Sequence, residues 1–160
     1  MNKDEFIKEL IFTGNIIQDD NNSVEEAESE KRFNRYIELL DSLEGDEGLD
    51  VARGLLRSMQ SEQDYGAYQS TQTTLGKFPS KIYIQSLILE LPLLIENNFE
   101  WAGELLCGLA NSIDTEFEND INLFKEQLET AQESAQKLIT KFIKEQEKDG
   151  WLEHRLGVLA

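Results

Sequence analysis

Apolar positions recur three and four residues apart along most of this chain, the period of helices that bury one face. Phe6, Ile7, Leu10 and Ile11 mark a first short amphipathic helix, which Gly14 and Asn15 are suited to end. A polar loop over residues 18–22 follows. Ser23 with Glu26 then forms the Ser-x-x-Glu pattern of a capping box, opening a second helix with Phe33, Tyr36, Ile37, Leu40 and Leu43 on its inner face. After a tight acidic turn at residues 45–48, Leu49, Ala52, Leu55, Leu56 and Met59 repeat the helical spacing, so the second and third helices are expected to pair as a hairpin. Tyr65, Tyr68, Gln72 and Leu75 share one face of a helix that stops near Gly76, ahead of Pro79.

Residues 61–111 hold the most apolar run and little charge, and the rest of the chain is expected to organise around them. Within this stretch, residues 81–95 fit two periods: Ile82, Ile84, Leu87, Leu89 and Leu91 partly alternate like a strand, while Leu87, Ile88, Leu91, Leu94 and Ile95 fit a helix. Their length exceeds a typical strand and no partner strand is evident, so helix is the reading, with Pro92 kinking or dividing it. A helix carrying Trp101, Ala102, Leu105, Leu106, Leu109 and Ala110 follows, and its Gly103 and Gly108 point to close packing. Thr115 with Glu118 offers another capping box, ahead of a seam of Ile121, Phe124, Leu128, Ala131, Ala135, Leu138 and Phe142 at heptad spacing. That seam predicts one long helix, lying across its own domain or pairing as a dimeric coil. A turn at Asp149 and Gly150 leads to a short closing segment.

The sum is an all-α chain of about seven helices, several in antiparallel hairpins, in a single domain over residues 1–160. A short HEAT-like solenoid and an irregular bundle with one long C-terminal helix both satisfy the pattern.

Charge adds a second layer. Residues 1–50 carry 5 basic and 15 acidic side chains, residues 51–112 carry 4 and 6, and residues 113–160 carry 6 and 11, giving the net −17. Such a surface repels nucleic acid and anionic membrane; it either attracts a basic partner or serves only to keep the protein soluble. The acidic N-terminal segment MNKDEF lacks the basic start of a secretory leader, and no apolar run approaches the ~20 residues of a membrane span. The single Cys107, in the apolar phase of AGELLCGLA, reads as a reduced, buried thiol of a cytoplasmic protein.

No catalytic pattern emerges. Nucleophilic catalysis needs a base in reach, and the only histidine is His154, read as a helix-end residue. One Cys and one His cannot build a zinc site, GDEG at 45–48 lacks the spacing of a phosphate loop, and neither acidic loop has the ligand order of a calcium loop. Glu-x-x-His, the mark of helix-borne carboxylate metal clusters, is absent. The chain is therefore expected to be no enzyme and to need no cofactor or metal.

Two sets of residues remain as partner-binding candidates. Asp64, Tyr65 and Tyr68 bring a carboxylate and two phenols within one helical turn, and tyrosine is favoured at interface hot spots. The alternative is that the rings fill the core. Glu100 and Glu104 lie four apart with Trp101 beside them, a spacing that lets one Arg or Lys meet both carboxylates. Here the alternative is a core Trp101 and two solvated acids.

The run DYGAYQSTQTTLGKFP, the apolar helix after it and NNFEWAGELLCGLAN resemble the helical immunity proteins of bacterial polymorphic-toxin and contact-dependent growth inhibition systems. The resemblance rests on the aromatic-flanked Gly66, the Phe78-Pro79 turn, the central helix and the Trp101 helix, about a third of the chain. It implies an antitoxin that binds a cognate toxin domain in the cytoplasm and blocks its cleft; contact positions vary across such proteins, so it assigns no binding residue. A basic nuclease is the partner the charge fits, and a monomer the expected state. The rival is a helical adaptor that docks or dimerises through the seam of residues 121–142.

Overall fold

Asn2 opens the first helix by exchanging two hydrogen bonds with Glu5: the Glu5 amide donates to Asn2 Oδ1 (2.9 Å) and the Asn2 amide to Glu5 Oε2 (3.1 Å). The structure, a computed structural model, describes residues 1–149 and 155–160. Among the described residues it contains eight helices and no strand: α1 (Lys3–Gly14), α2 (Glu26–Asp41), α3 (Leu49–Ser58), α4 (Ala67–Leu75), α5 (Ser80–Asn97), α6 (Phe99–Ala110), α7 (Asn119–Thr130) and α8 (Glu133–Lys148). The all-α class expected from the periodicity is thus observed. The chain forms two compact units, Met1–Ser86 and Leu87–Ala160, with the boundary inside α5.

In the first unit, α1 packs most extensively along α3 and next against α2, while α2 packs on α4. This corrects the expected α2–α3 hairpin, because those two helices touch less than any of these pairs. The reason is a pair of glycines. A Cβ on Gly54 of α3 would lie 3.2 Å from Ile7 Cγ2 of α1, and one on Gly14 of α1 would lie 2.6 Å from Ser58 Cβ of α3. Each helix therefore lends the other a bare backbone, and the close fit draws α1 onto α3. Gly45, with φ +97°, makes the turn into α3 where any Cβ would strike the Lys77 carbonyl.

The expected cap at Ser23 does not form, and α2 begins at Glu26 without a side-chain cap. Ser23 instead gives both its amide and its hydroxyl to Asn21 Oδ1, which holds it in the loop ahead of Glu25, the residue that precedes the helix. Tyr36, Leu39, Leu40 and Leu43 sink fully, while Phe33 and Ile37 stay at the edge.

Two buried tyrosines tie this unit together. The Tyr36 hydroxyl bonds Ser58 Oγ and Thr71 Oγ1, each at 2.7 Å. The Tyr68 hydroxyl donates to the Gly14 carbonyl (2.8 Å) and accepts the amides of Gln60 (2.9 Å) and Ser61 (2.7 Å). The two rings meet edge to face, centroids 6.4 Å apart. Both phenols are completely buried and fully partnered, so the network rigidifies the unit, since losing any member would strand a buried polar group.

Residues 81–95 are helical, as read from their length: α5 runs through Pro92 unbroken. Proline costs such a helix about 3 kcal/mol, but Leu87, Ile88, Leu91 and Leu94 are all buried around it, at roughly 1.5–3 kcal/mol each.

In the second unit, the Thr115 to Glu118 pattern closes a turn instead of capping a helix: Glu118 Oε2 accepts from the Asp114 amide (3.0 Å) and Thr115 Oγ1 from the Phe117 amide (3.1 Å). The expected long helix is divided. Ala131 (ψ 162°) and Gln132 (ψ 140°) are extended, and α8 starts afresh at Glu133. Ala131 and Ala135 bury too little surface to hold the seam on one axis, and the Thr130 hydroxyl bonds back to the Gln127 carbonyl (3.1 Å) at the break. Ile121, Phe124 and Leu128 are buried on α7, but on α8 the buried face turns to Ile139, Phe142 and Ile143, leaving Leu138 exposed. The closing turn at Gly150, with Trp151 and His154, lies outside the described residues; beyond it Leu159 is buried and the Gly157 amide bonds Glu147 Oε1 (2.9 Å).

Burial holds the Tyr36 and Tyr68 phenols protonated above the ordinary 10.0. An unfolded chain sheds those protons near 10.0 while the native one keeps them, so stability is full below that pH and falls above it. Urea unfolding at stepped alkaline pH is expected to show a loss approaching about 1.4 kcal/mol per pH unit per tyrosine, with a shallower slope in Tyr36→Phe.

A candidate protein-recognition surface

Asp64, Tyr65 and Tyr68 prove to have three different jobs. Helix α4 begins only at Ala67, after Tyr65 (φ 50°) and Gly66 (φ 85°) have turned the chain, so Tyr65 is not on the helix as its spacing implied. Asp64 Oδ2 accepts the Tyr68 amide (2.9 Å) and its carbonyl accepts the Ala67 amide (3.0 Å), satisfying donors at the helix start. Tyr68 is buried among Gly14, Gln60 and Ser61 and has no surface to offer a partner; the glycine-led turn swings its ring inward. Tyr65 stays 46% exposed, with its hydroxyl accepting the Asp19 amide (3.0 Å) and so fastening the loop before α2. As a set these three residues brace one corner of the first unit.

Glu100, Trp101 and Glu104 belong to α6, in the second unit. The buried stripe of that helix is Ala102, Leu105, Leu106, Leu109 and Ala110. Glu100 and Glu104 project opposite it, exposed and one turn apart, and Trp101 is half-buried at its margin. Cys107, expected to be buried, lies on the outer side with them: it is partly exposed, and Asn111 Nδ2 approaches its sulfur at 3.7 Å. Position 107 follows Glu104 by three residues and Glu100 by seven, a spacing that shares their face.

Electrostatics distinguish this face. Residues 87–132 carry ten acids against one base, Lys125, whereas residues 133–160 carry five of each. The lysines of α8, at 137, 141, 144 and 148, form a stripe opposite that helix's buried face, and those that pair do so within it: Lys137 with Glu133 (2.6 Å) and Lys141 with Glu145 (3.8 Å). Elsewhere Arg35 takes up Glu9 (2.6 Å) and Glu38 (3.2 Å), holding the Glu9 carboxyl below its usual range through hydrogen bonding and charge. None of these ion pairs draws on an acid of α6 or α7. Among the described residues, Glu100 and Glu104 of α6 thus stay exposed and outside these pairs.

Two features here escaped the reading of the sequence. Phe99, at the start of α6, is 60% exposed beside Glu100, although its apolar character gave no sign of which face it would take. Gly108, read as a packing glycine, has nothing within 4 Å of where a Cβ would be. Its place four residues after Glu104 was the available signal. A further exposed aromatic, Phe12 in the first unit, is stacked by the Arg32 guanidinium at 3.9 Å, and Arg32 Nη2 also donates to the Phe12 carbonyl (2.7 Å).

Among the described residues, no group of three or more His, Cys, Asp or Glu is placed to hold a metal ion, and no helix is long and apolar enough to cross a membrane. Comparison of the chain with protein-family models, with curated proteins and with solved structures finds no match.

If Asp64 is a structural cap, Asp64→Ala lowers the unfolding free energy by about 1 kcal/mol and speeds amide exchange at Tyr68, as denaturant titration with exchange mass spectrometry would record.

Proposed function

We propose that this chain is an immunity protein, an antitoxin that binds a cognate toxin domain in the cytoplasm and neutralises it by covering its active-site cleft. The observation that carries the reading is the outer face of α6: two exposed carboxylates one turn apart, in no ion pair among the described residues, between an exposed Phe99 and a half-buried Trp101. A carboxylate pair at this spacing fits one guanidinium or ammonium group, and the aromatic beside it adds contact area at low entropic cost.

A basic nuclease is the partner this charge favours. An enzyme that holds a phosphate backbone must line its groove with Lys and Arg, and an acidic face competes for those cations. The surplus of nine negative charges over residues 87–132 also speeds encounter with such a groove and disfavours acidic bystanders. The protein does this as a monomer and makes or breaks no bond itself. An adaptor docking a helix on the residues 121–142 seam would have to draw Ile121, Phe124, Leu128 and Phe142 out of the interior, which makes it the weaker reading.

A pulldown with the toxin domain encoded beside it tests the proposal. Binding is expected at low salt and is expected to weaken at least tenfold in about 1 M salt and in Glu100→Gln/Glu104→Gln. Absence of binding under both salt conditions rejects the proposal.

A further inference from the structure

Glycine inside a helix costs roughly fivefold in the folding equilibrium relative to alanine, so each such residue calls for a reason. Gly45, Gly48, Gly66 and Gly157 have one in their positive φ, and Gly14 and Gly54 in the neighbouring helix that presses on them. Gly108 has neither. Its backbone is helical, it is exposed, and an added Cβ would meet no atom within 4 Å. Among the described residues nothing asks for the smallest residue there.

Its position supplies the missing reason. Residues 100, 104 and 108 succeed one another at single-turn spacing along the outer face of α6, and helical side chains lean toward the N-terminus, so the Glu104 carboxylate tilts away from Gly108. The turn at Gly108 carries no side chain of its own, with Ser112 Oγ donating to its carbonyl (3.5 Å), beyond two carboxylates that pair with no cation among the described residues, in a segment with nine surplus negative charges.

We infer that Gly108 is where a basic segment of the partner lies flush on α6, its Arg or Lys held by Glu100 and Glu104 and its own main chain entering the space that a side chain at 108 would fill. This rests on the reading of α6 as the partner-binding face. A side chain at 108 would lift the segment off the helix and lengthen its reach to both carboxylates.

The test compares Gly108→Gln and Gly108→Ala with wild type in the full chain, by calorimetric titration against the neighbouring toxin domain and by thermal melting, with Ala27→Gln on the exposed side of α2 as control. Both Gly108 variants are expected to melt no lower than wild type, since a better helix former enters open space. Affinity is expected to fall about tenfold or more with Gln, less with Ala, and not at all in the control. Wild-type binding with unchanged affinity in both Gly108 variants overturns the inference alone, and so does a drop in melting temperature, which would mean the fold itself requires glycine there. Failure of the wild type to bind overturns the reading of the face on which the inference stands.

Discussion

Negative charge that the chain does not neutralise is the constraint to which the second unit answers. Between residues 87 and 132 ten carboxylates face one lysine, and like charges a turn apart on a helix repel by about 0.2–0.5 kcal/mol a pair. The lysines that might relieve this sit on the outer stripe of α8, where Lys137 and Lys141 pair with acids of their own helix. Cohesion comes from the apolar interior: Leu87, Leu91, Leu105, Leu106, Leu109, Phe124, Ile139 and Ile143 are all buried, each offsetting several such repulsions.

The first unit solves a different problem. Its helices close through two glycine contacts and a set of buried hydroxyls in which Tyr36 and Tyr68 meet Ser58, Thr71, Gly14 and Ser61. Asp64 and Tyr65 extend that bracing to the surface, one at the start of α4 and the other on the loop before α2. Polar residues that resemble a recognition patch in one dimension are here the joints of a scaffold. Among the described residues the carboxylates of α6 join no such network, and that contrast separates the two candidate patches.

Helical class, most helix positions and the helix at residues 81–95 were legible because each rests on a local period of apolar residues, and α5 had the length to outweigh one proline. What was not legible depended on partners distant in sequence. Ser23 looked like a cap but bonds Asn21 instead, while Asn2, which the apolar period did not mark, caps α1. The α2–α3 hairpin was inferred from adjacency, whereas the pairing follows from Gly14 meeting Ser58, a match no one-dimensional pattern records. The heptad seam failed at its alanines, which fit the period yet bury little, and residues 61–111, which seemed the organising centre, cross the boundary between the two units. On α6 the acid pair was read correctly as one exposed face, while Tyr68 could not be told from a surface tyrosine until the turn at Gly66 was seen.

Whether the charge is held uncompensated can be measured on the protein alone, with no partner identified. Unfolding free energy followed from about 0.02 M to 0.5 M NaCl reports the balance of repulsion and ion pairing, because added salt screens whichever dominates. The account predicts that stability rises with salt, most steeply below about 0.15 M, where the screening length shrinks to ~8 Å. Stability that falls over the same range would mean that internal ion pairs hold the fold, and would contradict it.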